Sequence, residues 1–186
     1  DNILLVLAIA IECGIDPLDC AALIPRLKGA PGRMESVECG QDFTALVDYA
    51  HTPDAVRNVI ATAREFTSGK VVAVLGCGGD RDASKRPLMG SALIEESGIA
   101  IFTSDNPRSE DPAKILEDMS KHLPINAPSR VVIDRHEAIA YAVSLCQSGD
   151  TLLVLGKGHE NGQEIKGKKI DFDDRLVLAK ILEESQ

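Results

Sequence analysis

The chain has 186 residues, enough for one domain of ordinary size and a short additional piece. Hydrophobic residues make up 44% and charged residues 26%, so a real apolar core can form. A net charge of −9 disfavours a phosphate-backbone partner, and 3% aromatics without Trp leave no stacking surface for single-stranded nucleic acid.

The apolar run from Ile3 to Ile11 has no basic flank and is too short to cross a bilayer. It reads as a buried helix ending near Gly14. A second helix is expected from about Asp16-Pro17 to Leu27, carrying Ala21, Leu23, Ile24 and Leu27, and Gly29 to Gly32 reads as a linker. A helix as apolar as the first needs cover that so short a segment cannot supply. Residues 1–30 are therefore read as the helical tail of a neighbouring domain, and the chain, which has no initiator Met, as a piece of a longer protein.

From residue 33 the pattern alternates between strands and helices. Strands are expected at 45–49, 70–75, 99–103, 130–133 and 151–155. The strand at 70–75 is almost wholly apolar, as a buried parallel strand should be. Between them, Thr52-Pro53 and Asp111-Pro112 offer a cap followed by a first-turn proline. Val56, Val59, Ile60 and Ala63 give the first helix an apolar stripe. A helix near 87–97 follows, then one striped by Ile115, Leu116, Met119 and Leu123, then one by Ile139, Ala142, Val143 and Cys146. Residues 163–171 read as a polar hairpin around Gly167, and Asp173 or Asp174 caps a final helix with Val177, Leu178, Ile181 and Leu182. The fold class expected is α/β: a Rossmann-like, doubly wound, mostly parallel sheet with helices on both faces, occupying residues 31–186.

The five cysteines, Cys13, Cys20, Cys39, Cys77 and Cys146, form no CxxC pair. They read as reduced thiols of a cytoplasmic protein, with no zinc site.

Ligands of such sheets sit beyond the carboxyl ends of the strands, and the loops there are polar. They are Asp48-Tyr49-Ala50-His51-Thr52-Pro53-Asp54, Gly76-Cys77-Gly78-Gly79-Asp80-Arg81-Asp82 with Lys85-Arg86, Ser104-Asp105-Asn106-Pro107-Arg108, and Gly156-Lys157-Gly158-His159-Glu160. Arginines grip carboxylates bidentately, and carboxylates receive ammonium groups, so a cleft with both suits a zwitterionic amino acid. Taken singly, each signal has a bland reading. Gly-Cys-Gly-Gly is a flexible turn, Lys157 a solvated surface lysine, and His51 and His159 structural histidines. Asp-Asn-Pro-Arg is a turn, and Asp171, Asp173 and Asp174 are helix-capping and surface charges. No GxGxxG opens a helix, and no GxxxxGK[ST] loop occurs in the chain. What favours function is convergence: four polar loops follow four apolar strands.

Together with Gly32-Arg33-Met34-Glu35, these loops resemble the Mur ligase family, in order from about residue 31 to the end, and within it the diaminopimelate-adding branch. The resemblance implies three domains in the whole enzyme, of which this chain would hold the C-terminal one. It implies ATP and Mg²⁺ as cofactors, with meso-diaminopimelate and a UDP-N-acetylmuramoyl dipeptide as substrates, and neither nucleic acid nor membrane as partner. By the family pattern Arg81, Asp105, Asn106, Pro107, Arg108, Gly156 and Glu160 form the diaminopimelate site, with Arg108 on the far carboxylate. Arg33, Asp48, Tyr49 and His51 would line the ATP side. No nucleophile or general base is expected, no metal ligand is assigned, and the chain alone is expected to lack ligase activity. A lysine-adding relative, a folylpolyglutamate synthetase domain or a non-catalytic Rossmann-like binding module are the alternatives.

Overall fold

A computed structural model describes residues 2–24 and 29–185. The chain divides into two compact units, Asp1–Ala30 and Pro31–Gln186.

The first unit holds α1 (Asn2–Glu12) and α2 (Pro17–Leu23), with Asp16 capping the amide of Leu18 at the start of α2. The end expected for α2 at Leu27 lies outside the described residues. Ile3, Leu4, Leu5, Val6, Ile9 and Ile11 of α1 are exposed, so the described residues do not supply the cover that so apolar a helix needs.

The second unit is built on a six-stranded sheet, β1 (Glu35–Ser36), β2 (Thr44–Asp48), β3 (Val71–Leu75), β4 (Ile99–Phe102), β5 (Arg130–Val131) and β6 (Thr151–Leu155). The strand order is β1-β2-β6-β3-β4-β5, parallel throughout except for β1, which pairs antiparallel with β2. Between and after them run α3 (Pro53–Phe66), α4 (Lys85–Glu96), α5 (Pro112–Ser120), α6 (Arg135–Leu145) and α7 (Asp174–Glu184). An antiparallel hairpin, β7 (Gly162–Ile165) and β8 (Lys168–Asp171), precedes α7.

Strand side chains alternate between two apolar layers, so both faces of the sheet are buried. Leu46, Ala73, Leu75, Ala100, Phe102, Leu153 and Leu155 face Val56, Ile60, Ala92, Leu93, Leu116 and Met119 of α3, α4 and α5. Val47, Val72, Val74, Ile101, Leu152 and Val154 face Ala138, Ile139, Leu178 and Leu182 of α6 and α7. Thr52, Asp111, Asp134 and Asp173 each accept a hydrogen bond from an amide in the first turn of α3, α5, α6 and α7.

The register decides where the loops emerge. Leu155 lies opposite both Asp48 and Leu75, and Leu75 lies opposite Phe102. The carboxyl ends of β2, β6, β3 and β4 are thus level, and their loops leave from one edge. Here β6 inserts between β2 and β3, and the chain leaves β3 toward one face and β6 toward the other. That is the topological switch point at which such sheets open a crevice.

Several boundaries differ from the sequence reading. Strand β1 was not expected, because two residues carry no periodic signal. The strand expected at 130–133 shortens to an exposed two-residue edge. Helix α4 begins at Lys85, two residues earlier than expected, and Pro87 sits within its first turn, where no amide donor is needed. Leu123 lies beyond the end of α5, and Cys146 is the residue after α6 rather than part of it.

Candidate functional site

Loops from all four level strand ends line one cavity of about 500 Å³. Tyr49, His51 and Thr52 come from beyond β2, and Gly76, Cys77, Gly78 and Arg81 from beyond β3, with Lys85, Arg86 and Met89 of α4. Asp105, Asn106 and Arg108 follow β4, and Gly156 and Glu160 follow β6.

The floor is a carboxylate–amide network. Asn106 Nδ2 donates to Asp105 Oδ1 at 2.9 Å and to Glu160 Oε2 at 2.8 Å. Asn106 Oδ1 accepts the Glu164 amide at 2.9 Å, so this one side chain ties the β4 loop, the β6 loop and the hairpin together. Burial raises the Asp105 carboxyl above the usual carboxylate range, against the nearby charges of Arg135 and Lys157, which lower it. Gly156 has φ +110°, and a Cβ there would stand 2.8 Å from Asp105 Oδ2. Only glycine lets the β6 backbone turn this close to the carboxylate.

Lys157 is completely buried, not the solvated surface lysine that its sequence suggested in isolation. Its Nζ donates to Gly162 O at 2.6 Å, with Glu160 Oε2 at 3.4 Å and Asn106 Oδ1 at 3.5 Å. The physical reason is its position: it is the second residue after a fully buried strand, and the hairpin closes over it.

The two arginines are placed differently. Arg108 adopts φ +51°. Its Nη1 donates to Gly79 O at 2.7 Å, and its Nε lies 3.8 Å from Glu164 Oε2. Its backbone bonds Glu164 O and the Lys166 amide, which locks the β4 loop to the hairpin. Arg81 is exposed at the rim and makes no hydrogen bond or ion pair with a described residue. Pro107 is buried and its carbonyl accepts the Glu110 amide, outside the cavity lining.

Outside the cavity lining, the Arg33 guanidinium lies 5.1 Å from the ring centroid of Tyr49, which does line it. Tyr49 in turn contacts His51 and His159 at 4.6 and 5.5 Å between ring centroids. His51 Nδ1 is 2.8 Å from Tyr49 O, the loop-bonding role that its bland reading foresaw. Asp48 is buried, does not line the cavity, and spends its two oxygens on the amides of Met34 and Ala50 at 2.8 and 2.7 Å.

Three residues at or near the cavity were given no site role in the sequence reading: Arg86, named only within its loop, Asp174, read as a capping or surface charge, and Arg135. Arg86 is 4% exposed and pairs with Glu110 and Asp118 at 2.7 and 2.9 Å. Arg135 and Asp174 form a fully buried ion pair at 2.7 Å, so Asp174 is no surface charge, while Asp173 does cap its helix. The signal for Arg86 was its place in the first turn after a strand-end loop. Nothing local marked Arg135, whose partner lies far along the chain. Burial pushes the Cys77 thiol up to about 12, so it supplies no thiolate to the cavity near neutral pH. Among the described residues no group of three or more His, Cys, Asp or Glu could hold a metal ion, and no helix is long and apolar enough to cross a membrane.

Residues 32–158 match the family described as Mur ligase, glutamate ligase domain. The chain is 46% identical over 183 residues to the UDP-N-acetylmuramoyl-L-alanyl-D-glutamate–2,6-diaminopimelate ligase of Syntrophomonas wolfei, covering 97% of this chain and 37% of that protein. It is 47% identical to the protein of the same name from Geobacillus thermodenitrificans, covering 98% and 38%. The chain thus spans well under half the length of these relatives. A solved structure of a ligase with that name aligns with TM-score 0.81 and 40% identity over 96% of this chain and 37% of the other. The UDP-N-acetylmuramate-alanine ligase of Thermotoga maritima, at 19% identity and TM-score 0.65 over 99% of this chain and 36% of its own, shares the fold. With more than half its length matched and the fold in common, the chain belongs to the Mur ligase family, as its glutamate ligase domain.

Proposed function

We propose that the cavity binds meso-diaminopimelate for an ATP-dependent ligase that joins it to a UDP-N-acetylmuramoyl dipeptide in the cytoplasm. The observation that carries this reading is the presence, in one cavity, of Arg81 and Arg108 with Asp105 and Glu160, beside an Arg86 already engaged by Glu110 and Asp118. A zwitterion with a second carboxylate needs that set. The diaminopimelate ligases to which the chain is 46% and 47% identical support the same substrate.

In this reading Arg108 pairs with the far carboxylate, the feature that separates diaminopimelate from lysine. Its Nη1 and Nε are oriented by Gly79 and Glu164, so the fork is preset rather than searching. Glu160 keeps its Oε1 free of hydrogen bonds to described residues and receives the far ammonium, while Asp105 and Asn106 fix its orientation. Arg81, free at the rim, takes the near carboxylate. Gly156 leaves room for close backbone approach, and Pro107 shapes the turn that presents Arg108.

Arg33, Tyr49 and His51 form the wall toward ATP, and Asp48 holds that wall through the Met34 and Ala50 amides. In the full reaction ATP converts the dipeptide carboxylate to an acyl phosphate, and the amine of diaminopimelate attacks it, releasing phosphate. This domain contributes position, holding the amine at the mouth of the pocket. Mg²⁺ would neutralise phosphate charge, and no cluster here is assigned to it. Residues 1–30 are read as the tail of the ATP-binding domain, and the chain alone as inactive in ligation.

Calorimetry of the chain with meso-diaminopimelate, lysine and ATP tests the reading. Tighter binding of diaminopimelate than of lysine is expected. Equal affinities, or no amino-acid binding at all, would count against it.

A further inference from the structure

Beneath the cavity, one guanidinium joins two strands that the sheet does not pair. Arg135 opens α6 and Asp174 opens α7, and both side chains are 0% exposed. Asp174 accepts two parallel hydrogen bonds, from Nε at 2.8 Å and Nη2 at 2.7 Å. The remaining donors turn to the sheet. Nη1 donates to Ser104 O at 3.1 Å, and Nη2 also donates to Leu155 O at 2.9 Å.

Ser104 immediately precedes Asp105, and Leu155 immediately precedes Gly156. Leu155 ends β6 and Ser104 lies two residues beyond β4, and these two strands are separated by β3. Ladder hydrogen bonds therefore fix neither strand end to the other directly. Arg135 spans β3 and does so, and only a planar fork of several donors can reach both carbonyls while held by a carboxylate. Gln163 Nε2 adds a tie from the hairpin to Asp105 O at 2.7 Å.

We infer that Arg135, oriented by Asp174, is a positioning residue of the pocket, setting from below, as the Asn106–Glu160 hydrogen bond does from within, the spacing between the Asp105–Arg108 loop and the Gly156–Glu160 loop. The inference rests on the reading of the cavity as an amino-acid site. It also differs from a role in stability alone. Replacing a buried ion pair by well-packed apolar residues is often neutral for stability, whereas it removes every directed bond to Ser104 and Leu155.

The test is the 186-residue chain carrying Arg135→Met with Asp174→Leu, and separately Arg135→Lys, which keeps the charge but not the fork. Backbone amide NMR signals, melting temperature and calorimetric affinity for meso-diaminopimelate are measured. Because the carbonyls of Ser104 and Leu155 lose their Arg135 donors, the double variant is expected to stay folded at 25 °C but melt several degrees below the wild type, and to bind at least tenfold more weakly, about the loss of one charge-assisted hydrogen bond. Amide signals of Asp105, Asn106, Gly156 and Glu160 should move while those of Tyr49 and His51 stay. Arg135→Lys should move the same signals and fail to restore affinity. A folded double variant with wild-type affinity and unmoved loop signals overturns the inference. If the double variant does not fold, Arg135→Lys decides on the same two readouts. If the wild type binds no diaminopimelate, the pocket reading fails by itself, and the loop signals still judge the clamp.

Discussion

Removing the ammonium of Lys157 while keeping its shape isolates what that buried charge does. Lys157→Met leaves a chain of similar volume, so no large cavity opens. Two consequences remain. Gly162 O loses its 2.6 Å donor, and a stranded buried carbonyl costs about 1–3 kcal/mol. Glu160 loses its cation at 3.4 Å. Breaking a fully buried ion pair from one side costs roughly 3–5 kcal/mol, but the Glu160 side chain is 35% exposed and can turn to water, so the cost falls to about 1 kcal/mol, the value of a solvent-screened pair. The sum is about 2–4 kcal/mol. For a chain of this length each kcal/mol lowers the melting temperature by about 2–4 °C, which places the loss at roughly 5–15 °C. Affinity should fall as well, because Glu160 and Asn106 lose a shared donor that fixes their orientation. Differential scanning calorimetry and ligand titration at 25 °C measure both. A variant that melts and binds like the wild type would refute the claim that this lysine organises the pocket floor.

Two further predictions separate the pocket from the scaffold. Asp150 accepts the amides of Lys70 and Gln147 at 2.8 and 2.9 Å. Burial raises its carboxyl, but these hydrogen bonds and the Lys70 charge outweigh burial and hold it below the usual value. A folded value below the unfolded one gives stability that is full above the unfolded value, about pH 4, and lost as pH falls through the folded one. Asp150→Ala should therefore cost about 2–4 kcal/mol near neutral pH, flatten the acid side of the stability profile, and leave ligand affinity unchanged at the other end of the sheet; urea unfolding between pH 3 and 7 would show this. Gly79→Ala presses a methyl against Pro107 O, and the carbonyl of Gly79 holds Arg108, so about 1–3 kcal/mol of stability and measurable affinity should go together; a stable variant with weakened binding, or the reverse, would separate the two.

Much of the scaffold was legible because its signals are local. The wholly apolar β3, the nearly wholly apolar β6 and the Thr52-Pro53 and Asp111-Pro112 caps declare their elements within a few residues. The polar loops could be placed at one edge because parallel strands share a direction. Strand β1 was invisible because pairing with β2, rather than side-chain periodicity, makes it a strand. The site was legible as residues but not as bonds. Lys157 and Asp174 read as solvated charges, since what buries them is a hairpin and a helix folded over from elsewhere in the chain. Arg108 was chosen for its charge, whereas its fixed orientation comes from Gly79 and Glu164. Asp48, expected beside ATP, shapes the loop through two amides.

In the proposed function Arg108 reads the second carboxylate of the ligand. Because Arg108 keeps Gly79 O and Glu164 as partners without that carboxylate, leaving it unmatched costs at the level of one charged hydrogen bond, about 1.5–3 kcal/mol, or roughly 10- to 150-fold. The direct measurement is the ratio of calorimetric affinities for meso-diaminopimelate and lysine, in the wild type and in Arg108→Ala. A preference of that size is expected in the wild type, collapsing toward parity in the variant. The same ratio in both proteins would contradict it.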